Sequence, residues 1–239
     1  MIVNTTAIVI HSIRYGEADL IVTLFTKESG LKTYLIRGVL KSRKGKIRSS
    51  FFQPLTILDV EAVHRNKGTL ERLKDVKLVS HYQTLHTDFV KSAIVFFISD
   101  VLKSSILEEE ANIDLFTFLE TALLWLDHHD DIYNFHIAFL IELSKFLGFF
   151  PDLSQLDSTY FNMQDGVFQS DSDNIYCVEG DHIFKFKEFL GTTFEANMKI
   201  KLTKKTRSDI IAMLLVYFEL HLHGFKKPKS LSVLNEIFK

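Results

Sequence analysis

Apolar and polar positions repeat every two residues over the first third of the chain and roughly every three to four after it. Thr6 to Ile13 is one apolar run, closed by Arg14-Tyr15-Gly16-Glu17. Leu20, Val22 and Leu24 then alternate with Ile21, Thr23 and Phe25, and Leu31, Thr33 and Leu35 with Lys32, Tyr34 and Ile36, the period of a strand. Ser29-Gly30 separates these two runs as a turn, and Gly38 ends the second. Phe51 to Val60 predicts a fourth strand, with Pro54 marking an edge or bulge. Thr69 to Val79 predicts a fifth that alternates less cleanly and is compatible with a helix. Five short strands in about eighty residues suit a small antiparallel barrel, which closes on itself and leaves few open edges.

From His81 onward the period changes. Phe89, Ala93, Phe96, Phe97 and Val101 fall on one face of an amphipathic helix, and Ile113, Phe116, Leu119, Leu123 and Leu126 on one face of a second. Phe135 to Leu147 predicts a third helix, stopped by Gly148 and Pro151. Thr206-x-x-Asp209 reads as a capping box ahead of Ile210, Leu214, Tyr217 and Phe218, and Ser230 to Phe238 as a short last helix. Between the third and fourth helices, residues 152–200 are rich in Asp, Ser, Gly and Asn, which predicts a loop-rich insertion with a hairpin at Ile175 to Phe186.

Composition shifts where the period does. Residues 1–80 hold 14 Lys+Arg against 7 Asp+Glu, a net of +7, whereas residues 81–239 hold 14 against 23, a net of −9. Ile, Val and Thr make up 23 of the first 80 residues, while 19 of the 22 phenylalanines follow residue 80. The reading is an α+β chain of two domains: a five-stranded barrel over 1–80 and an all-helical domain over 81–239 carrying the 152–200 insertion. Such charge asymmetry calls for an anionic partner on the basic side. One cysteine, Cys177, excludes an internal disulfide framework and any zinc site needing two thiolates, and fits a reducing compartment. No basic-then-apolar leader opens the sequence, and the longest apolar run, Ile210 to Phe218, is nine residues against the ~20 needed to cross a bilayer. The expectation is a cytoplasmic protein with no membrane partner.

The densest chemistry lies at Arg37-Gly38-Val39-Leu40-Lys41-Ser42-Arg43-Lys44-Gly45-Lys46-Ile47-Arg48, with six cations in twelve residues and no acid. Glycines and a serine make this a loop, and cations on a loop can reach successive phosphates and release the counterions condensed there. Arg37, Lys41, Arg43, Lys44, Lys46 and Arg48 are therefore the candidate phosphate contacts, with Arg14 and Tyr15 beside them. Among the flanking aromatics Tyr15, Tyr34, Phe51 and Phe52, any that faces outward can stack on an unpaired base. The loop is not a nucleotide-binding P-loop: six residues, not four, lie between Gly38 and Gly45, and Ile47 follows Lys46 where a hydroxyl is required.

Catalytic and metal signals are poor. His128-His129-Asp130-Asp131 are adjacent rather than four apart on one helix face, no Gly-x-Ser-x-Gly elbow occurs, and no cation neighbours Cys177 to activate it. The expectation is a protein without enzymatic activity or cofactor. A metal-dependent nuclease using Asp127, Asp130 or the histidines, and an adaptor binding proteins through the acidic helices, are the alternatives. Basic residues return at Lys204, Lys205 and Arg207, a candidate contact for an acidic partner peptide.

The segments Thr6-Ala-Ile-Val-Ile-His-Ser-Ile-Arg14-Tyr15-Gly16-Glu17-Ala-Asp19, Val22-Thr-Leu-Phe-Thr26, Arg37-Gly-Val-Leu-Lys-Ser42-Arg, Leu143-Ser-Lys-Phe-Leu-Gly148-Phe-Phe-Pro151-Asp-Leu and Lys229-Ser-Leu-Ser-Val-Leu, in this order, resemble the RecO family. The resemblance implies an oligonucleotide/oligosaccharide-binding (OB) barrel followed by a helical domain. It also implies a recombination mediator in bacterial DNA repair, one that binds single- and double-stranded DNA and anneals complementary strands. With RecR, such a protein helps load RecA onto strands coated by single-stranded DNA-binding protein (SSB), whose C-terminal tail it contacts. Many members carry cysteine pairs for zinc soon after the Leu-Gly-x-x-Pro-x-Leu segment. Here Asp152-Leu-Ser-Gln-Leu-Asp-Ser-Thr-Tyr160 stands there instead, so no zinc is expected, and burial of Tyr160, Phe161, Phe168 and Tyr176 is left to hold the insertion together.

Overall fold

A computed structural model describes residues 1–41, 46–65, 70–107 and 110–238. The chain divides into two compact units, Met1–His128 and His129–Lys239.

In the first unit, β1 (Ile2–Tyr15), β2 (Asp19–Thr26), β3 (Gly30–Ile36), β4 (Ile57–Val63) and β5 (Arg72–Leu78) form one antiparallel sheet in the order β3-β2-β1-β4-β5. The fourteen-residue β1 serves two partners: its second half pairs with β2 and its first half with β4. A bulge between Val9 and His11 bends it from one to the other, as a strand must bend for a five-stranded sheet to close. Closure is made between β3 and the residue preceding β5. The Leu35 amide donates to Glu71 O at 3.1 Å and the Glu71 amide to Thr33 O at 2.8 Å. Alternation then does its work: Ala7, Val9, Val22, Leu24, Tyr34, Leu58, Val60 and Ala62 fill the interior of the barrel. The fifth strand is a strand, not a helix, and Pro54 sits in the turn ahead of β4 rather than within a ladder.

Two helices, α1 (Phe89–Ser105) and α2 (Ile113–His128), complete this unit. Ser99 on α1 donates its hydroxyl to Ile10 O at 2.7 Å, a buried bond that satisfies the carbonyl at the bulge of β1. The buried face of α1 is Ala93, Ile94, Phe97, Ile98, Val101 and Leu102, whereas Phe89 and Phe96, placed by periodicity on the core face, are 74% and 54% exposed. The helix is apolar almost all round, so its pattern alone leaves the rotation about its axis open. Asp127, at the end of α2, turns inward and accepts the amides of Gln83, Thr84 and Leu85 at 2.9, 2.8 and 2.8 Å. Buried Lys91 donates to Asp127 O at 2.9 Å and to Thr84 Oγ1 at 2.7 Å.

The second unit packs α3 (Phe135–Phe146), α4 (Asp181–Leu190), α5 (Phe194–Asn197), α6 (Lys204–His221) and α7 (Leu231–Ile237) with a small sheet of β6 (Tyr160–Asn162), β7 (Val167–Gln169) and β8 (Cys177–Val178) in the order β7-β6-β8. Two expectations are corrected here. Ile175 to Phe186 is not a hairpin. Cys177 and Val178 pair with β6, and the chain then enters α4, because Ile183, Phe186, Phe189 and Leu190 share a helical face that buries. The fourth long helix begins not at Thr206 but at Lys204, with the Thr203 hydroxyl accepting the Thr206 amide at 3.1 Å.

The insertion holds together through two devices. Phe161 rings lie 4.9, 5.3 and 5.3 Å from Phe168, Phe186 and Tyr217, forming an aromatic core under the small sheet. Asn162, fully buried, donates to Asp165 and Gln169 side chains at 2.8 and 3.1 Å and accepts the Gln164 amide at 3.0 Å. Phe161 and Phe168 are buried as expected, while Tyr160 and Tyr176 stay half-buried. No described helix is long and apolar enough to cross a membrane.

Candidate nucleic-acid interface

The β1–β2 turn and the chain leaving β3 meet at one end of the barrel. Gly38 adopts φ +69°, a conformation glycine takes without strain, and so turns its amide onto the Asp19 carboxylate at 2.8 Å. The Leu40 amide donates to Ala18 O at 2.9 Å. Lys41 pairs with Glu17 at 2.8 Å. Three contacts thus bind the start of the basic loop to the turn that follows Arg14 and Tyr15. Val39 is buried, and Ile47 packs on the barrel core at the other side of the loop, so both loop ends are anchored by burial.

This arrangement brings the chain at Arg14, Tyr15, Arg37 and Lys41 to one end of the barrel, and all four residues are exposed. Lys46 and Arg48 are exposed as well, Arg48 immediately before a single 3-10 turn, Ser49–Phe52, that is tied to β1 by the Ser12 hydroxyl donating to Phe52 O at 3.0 Å. Arg43 and Lys44 lie outside the described residues. The Lys41–Glu17 pair is solvated on both sides, worth about 0–1 kcal/mol, so Lys41 can exchange the carboxylate for a phosphate at little cost.

Of the four aromatics flanking the loop, only Tyr15, 54% exposed, faces solvent. Tyr34 is inside the barrel, its hydroxyl sharing a 2.7 Å hydrogen bond with His64 Nε2, and burial pushes its pKa well above the ordinary phenol value. Phe52 is 2% exposed and Phe51 half-buried against the core.

Beside this surface a groove of 580 Å³ opens where the end of β3 meets the start of β5. Arg37 lines it together with Arg65 and Arg72. These two arginines lie on either side of the β4–β5 connection and outside the dense run at 37–48, so a search for cation runs passes over them; barrel closure places them beside Arg37.

The second basic cluster is divided. Lys204 and Arg207 line a pocket of 180 Å³ with Ile211, Leu234 and Phe238, whereas Lys205 faces a different groove and pairs with Asp209 at 2.7 Å. Arg207 is half-buried, its guanidinium 5.7 Å from the Phe238 ring centroid and 3.5 Å from Asn134 Oδ1. Desolvation lowers its pKa.

Among the residues considered for catalysis, Asp127 and His128 are tied into the fold. Asp127 is the inward cap described above, and His128 Nδ1 lies 2.7 Å from Leu124 O on its own helix. His221 Nε2 bonds to Met163 O at 3.0 Å and its ring stacks on Phe149. Among the described residues no three His, Cys, Asp or Glu side chains are grouped as metal ligands.

Comparison with known proteins matches residues 1–82 to the family described as Recombination protein O N terminal and residues 86–231 to Recombination protein O C terminal. Three proteins named DNA repair protein RecO align over the whole of this chain and the whole of their own: 50% identical in Christiangramia forsetii, 47% in Flavobacterium johnsoniae and 33% in Bacteroides fragilis.

Proposed function

Because this chain belongs to the RecO family of DNA repair proteins, we propose that it is a DNA-binding recombination mediator, working in the cytoplasm without covalent chemistry or cofactor. We assign nucleic acid to residues 1–80 and protein partners to residues 81–239. The barrel end takes single- and double-stranded DNA, anneals complementary strands and, with RecR, helps load RecA onto SSB-coated strands.

The observation that supports this reading is the joining of the β1–β2 turn to the basic loop, at the barrel end where Arg14, Tyr15, Arg37 and Lys41 are all exposed. Phosphates of one strand are neutralised there, repulsion toward a second strand falls, and pairing can proceed. Tyr15 offers a ring for an unpaired base. On the helical side, the pocket of Lys204 and Arg207 over Ile211, Leu234 and Phe238 combines cations with an apolar floor, the chemistry an acidic tail with an apolar end requires. Lys205 contributes charge from the neighbouring face.

The test is fluorescence anisotropy of a labelled single strand titrated at several salt concentrations. Four or five loop contacts give a slope of log K against log salt of about −3. Changing Lys41, Arg43, Lys44 and Lys46 together to Ala should flatten it. A slope the same in both proteins sinks the loop assignment, and no binding by either favours the protein-binding adaptor.

A further inference from the structure

We propose that a groove along α6, within the second unit, is a docking site for a basic and apolar segment of a protein partner. In it Glu179 and Asp181 pair with lysine or arginine side chains of that segment, while an apolar side chain beside them enters over Met163 and Met213. The site is separate from the pocket of Lys204 and Arg207, and its charge has the opposite sign, so it goes beyond the acidic-tail contact assigned above.

The groove, of about 770 Å³, opens where β8 and the start of α4 face α6. That volume lies in the range of roughly 300–1,000 Å³ that encloses small ligands, so it admits a few side chains of a peptide rather than a folded domain. Asp209, Ala212, Met213 and Val216 recur at helical spacing, which turns all four toward the groove from α6. Met163 and Met213 are buried and form its floor, Val178 and Val216 are half-buried, and Ala212 is exposed. An unbranched methionine adapts its shape to what it meets, and the short side chain of Ala212 leaves the space above the helix open.

Charge decides the occupant. Three carboxylates, of Glu179, Asp181 and Asp209, border the groove against one ammonium, that of Lys205. Lys205 is already paired with Asp209 at 2.7 Å. Half-buried His182 adds no balancing charge at neutral pH, because burial lowers its pKa. Glu179 and Asp181 are left. Both are exposed, and among the described residues neither forms an ion pair. An acidic segment laid here meets two uncompensated carboxylates, and juxtaposed like charges reject it. A basic segment meets them as partners. Solvated rim pairs hold little by themselves, so the cations select the segment and burial of its apolar side chain over the methionines holds it.

The experiment titrates full-length protein into two fluorescein-labelled peptides of equal length, one alternating lysine with leucine and one alternating lysine with serine, and follows anisotropy. The lysine–leucine peptide should bind, more weakly as salt rises, and the lysine–serine peptide should bind severalfold less well. Ala212→Arg puts a long cation into the open part of the groove on a helix that tolerates arginine. It should abolish binding of the lysine–leucine peptide and leave the melting temperature as in wild type. Glu179→Lys/Asp181→Lys should abolish that binding too, whereas Glu110→Lys/Asp114→Lys, an equal change of net charge on the first unit, should leave it intact. Equal losses in the two double variants would mean that the peptide follows total charge, and binding that survives Ala212→Arg would place it elsewhere; either overturns the groove. So does equal affinity for both peptides, or no binding of the lysine–leucine peptide by wild type. DNA binding and the pocket of Lys204 and Arg207 stand or fall on other probes.

Discussion

The Gly38 amide donates to the Asp19 carboxylate at 2.8 Å, one of three contacts that join the turn following Arg14 and Tyr15 to the loop carrying Arg37 and Lys41. Asp19 is half-buried and lies on the first residue of β2, so it holds the loop against a rigid element rather than against another loop. Its replacement tests whether the surface works as a unit. Asp19→Ala should cost about 1.5–3 kcal/mol as a lost hydrogen bond to a charged group. In the anisotropy titration it should weaken single-strand binding although it removes a negative charge. Tighter binding in this variant would mean that charge count alone governs affinity and that joining the two segments does not matter.

Asp127 is the second target. Burial pushes its pKa upward, but the amides of Gln83, Thr84 and Leu85 and the Thr84 hydroxyl outweigh it, and the carboxyl is held below its ordinary value. A depressed carboxylate stabilises the fold above the ordinary value of 3.8 and loses that contribution as pH falls through its lowered folded value. Asp127→Ala should lower stability by about 3–5 kcal/mol, because three amides lose their acceptor and Lys91 loses a nearby charge. The melting temperature of Asp127→Asn should depend less on pH than wild type across the acid range. DNA incubated with Mg²⁺ or Mn²⁺ and either protein should stay intact; cleavage by wild type abolished in the variant would restore the nuclease alternative.

His136 gives a pH dependence of the opposite origin. It is fully buried on α3, and burial, with the Arg207 charge nearby, lowers its pKa to about 3. The unfolded chain binds a proton near 6.5 and the folded one does not until about 3, so this residue's contribution is complete above 6.5 and declines as pH falls between those values. Replacing His136 with Phe, similar in shape and without charge, should flatten the loss of stability in that window, as followed by thermal melts at stepped pH. An unchanged profile would place the acid sensitivity elsewhere.

Gly166 stands in the turn between β6 and β7 at φ +70°, and a Cβ there would meet the Tyr217 hydroxyl at 2.6 Å. That hydroxyl donates to Phe149 O at 2.5 Å. Gly166→Ala should therefore destabilise by about 1–3 kcal/mol, through backbone strain and displacement of a buried bond. Adding Tyr217→Phe should recover only the part due to the clash, which a double-mutant cycle in urea measures.

The parts of this protein legible in its sequence are those set by local spacing. The period of two over Leu20–Phe25 and Leu31–Ile36 predicted β2 and β3, helical spacing predicted α1, α2, α3 and α6, and the cation run over 37–48 marked the loop. In each case neighbours along the chain determine the outcome, through pleat, helical turn and charge density. Tertiary structure decided the rest. Phe89 and Phe96 look like core residues but are exposed, since only the partner surface of an apolar helix chooses its buried face. Residues 175–186 look strand-like but split between β8 and α4, because their pairing partner, β6, is distant in sequence. Arg65 and Arg72 carry no signal of their own. They reach Arg37 because β3 and the start of β5, far apart in sequence, close the barrel, and a relation made by closure is invisible to any window along the chain.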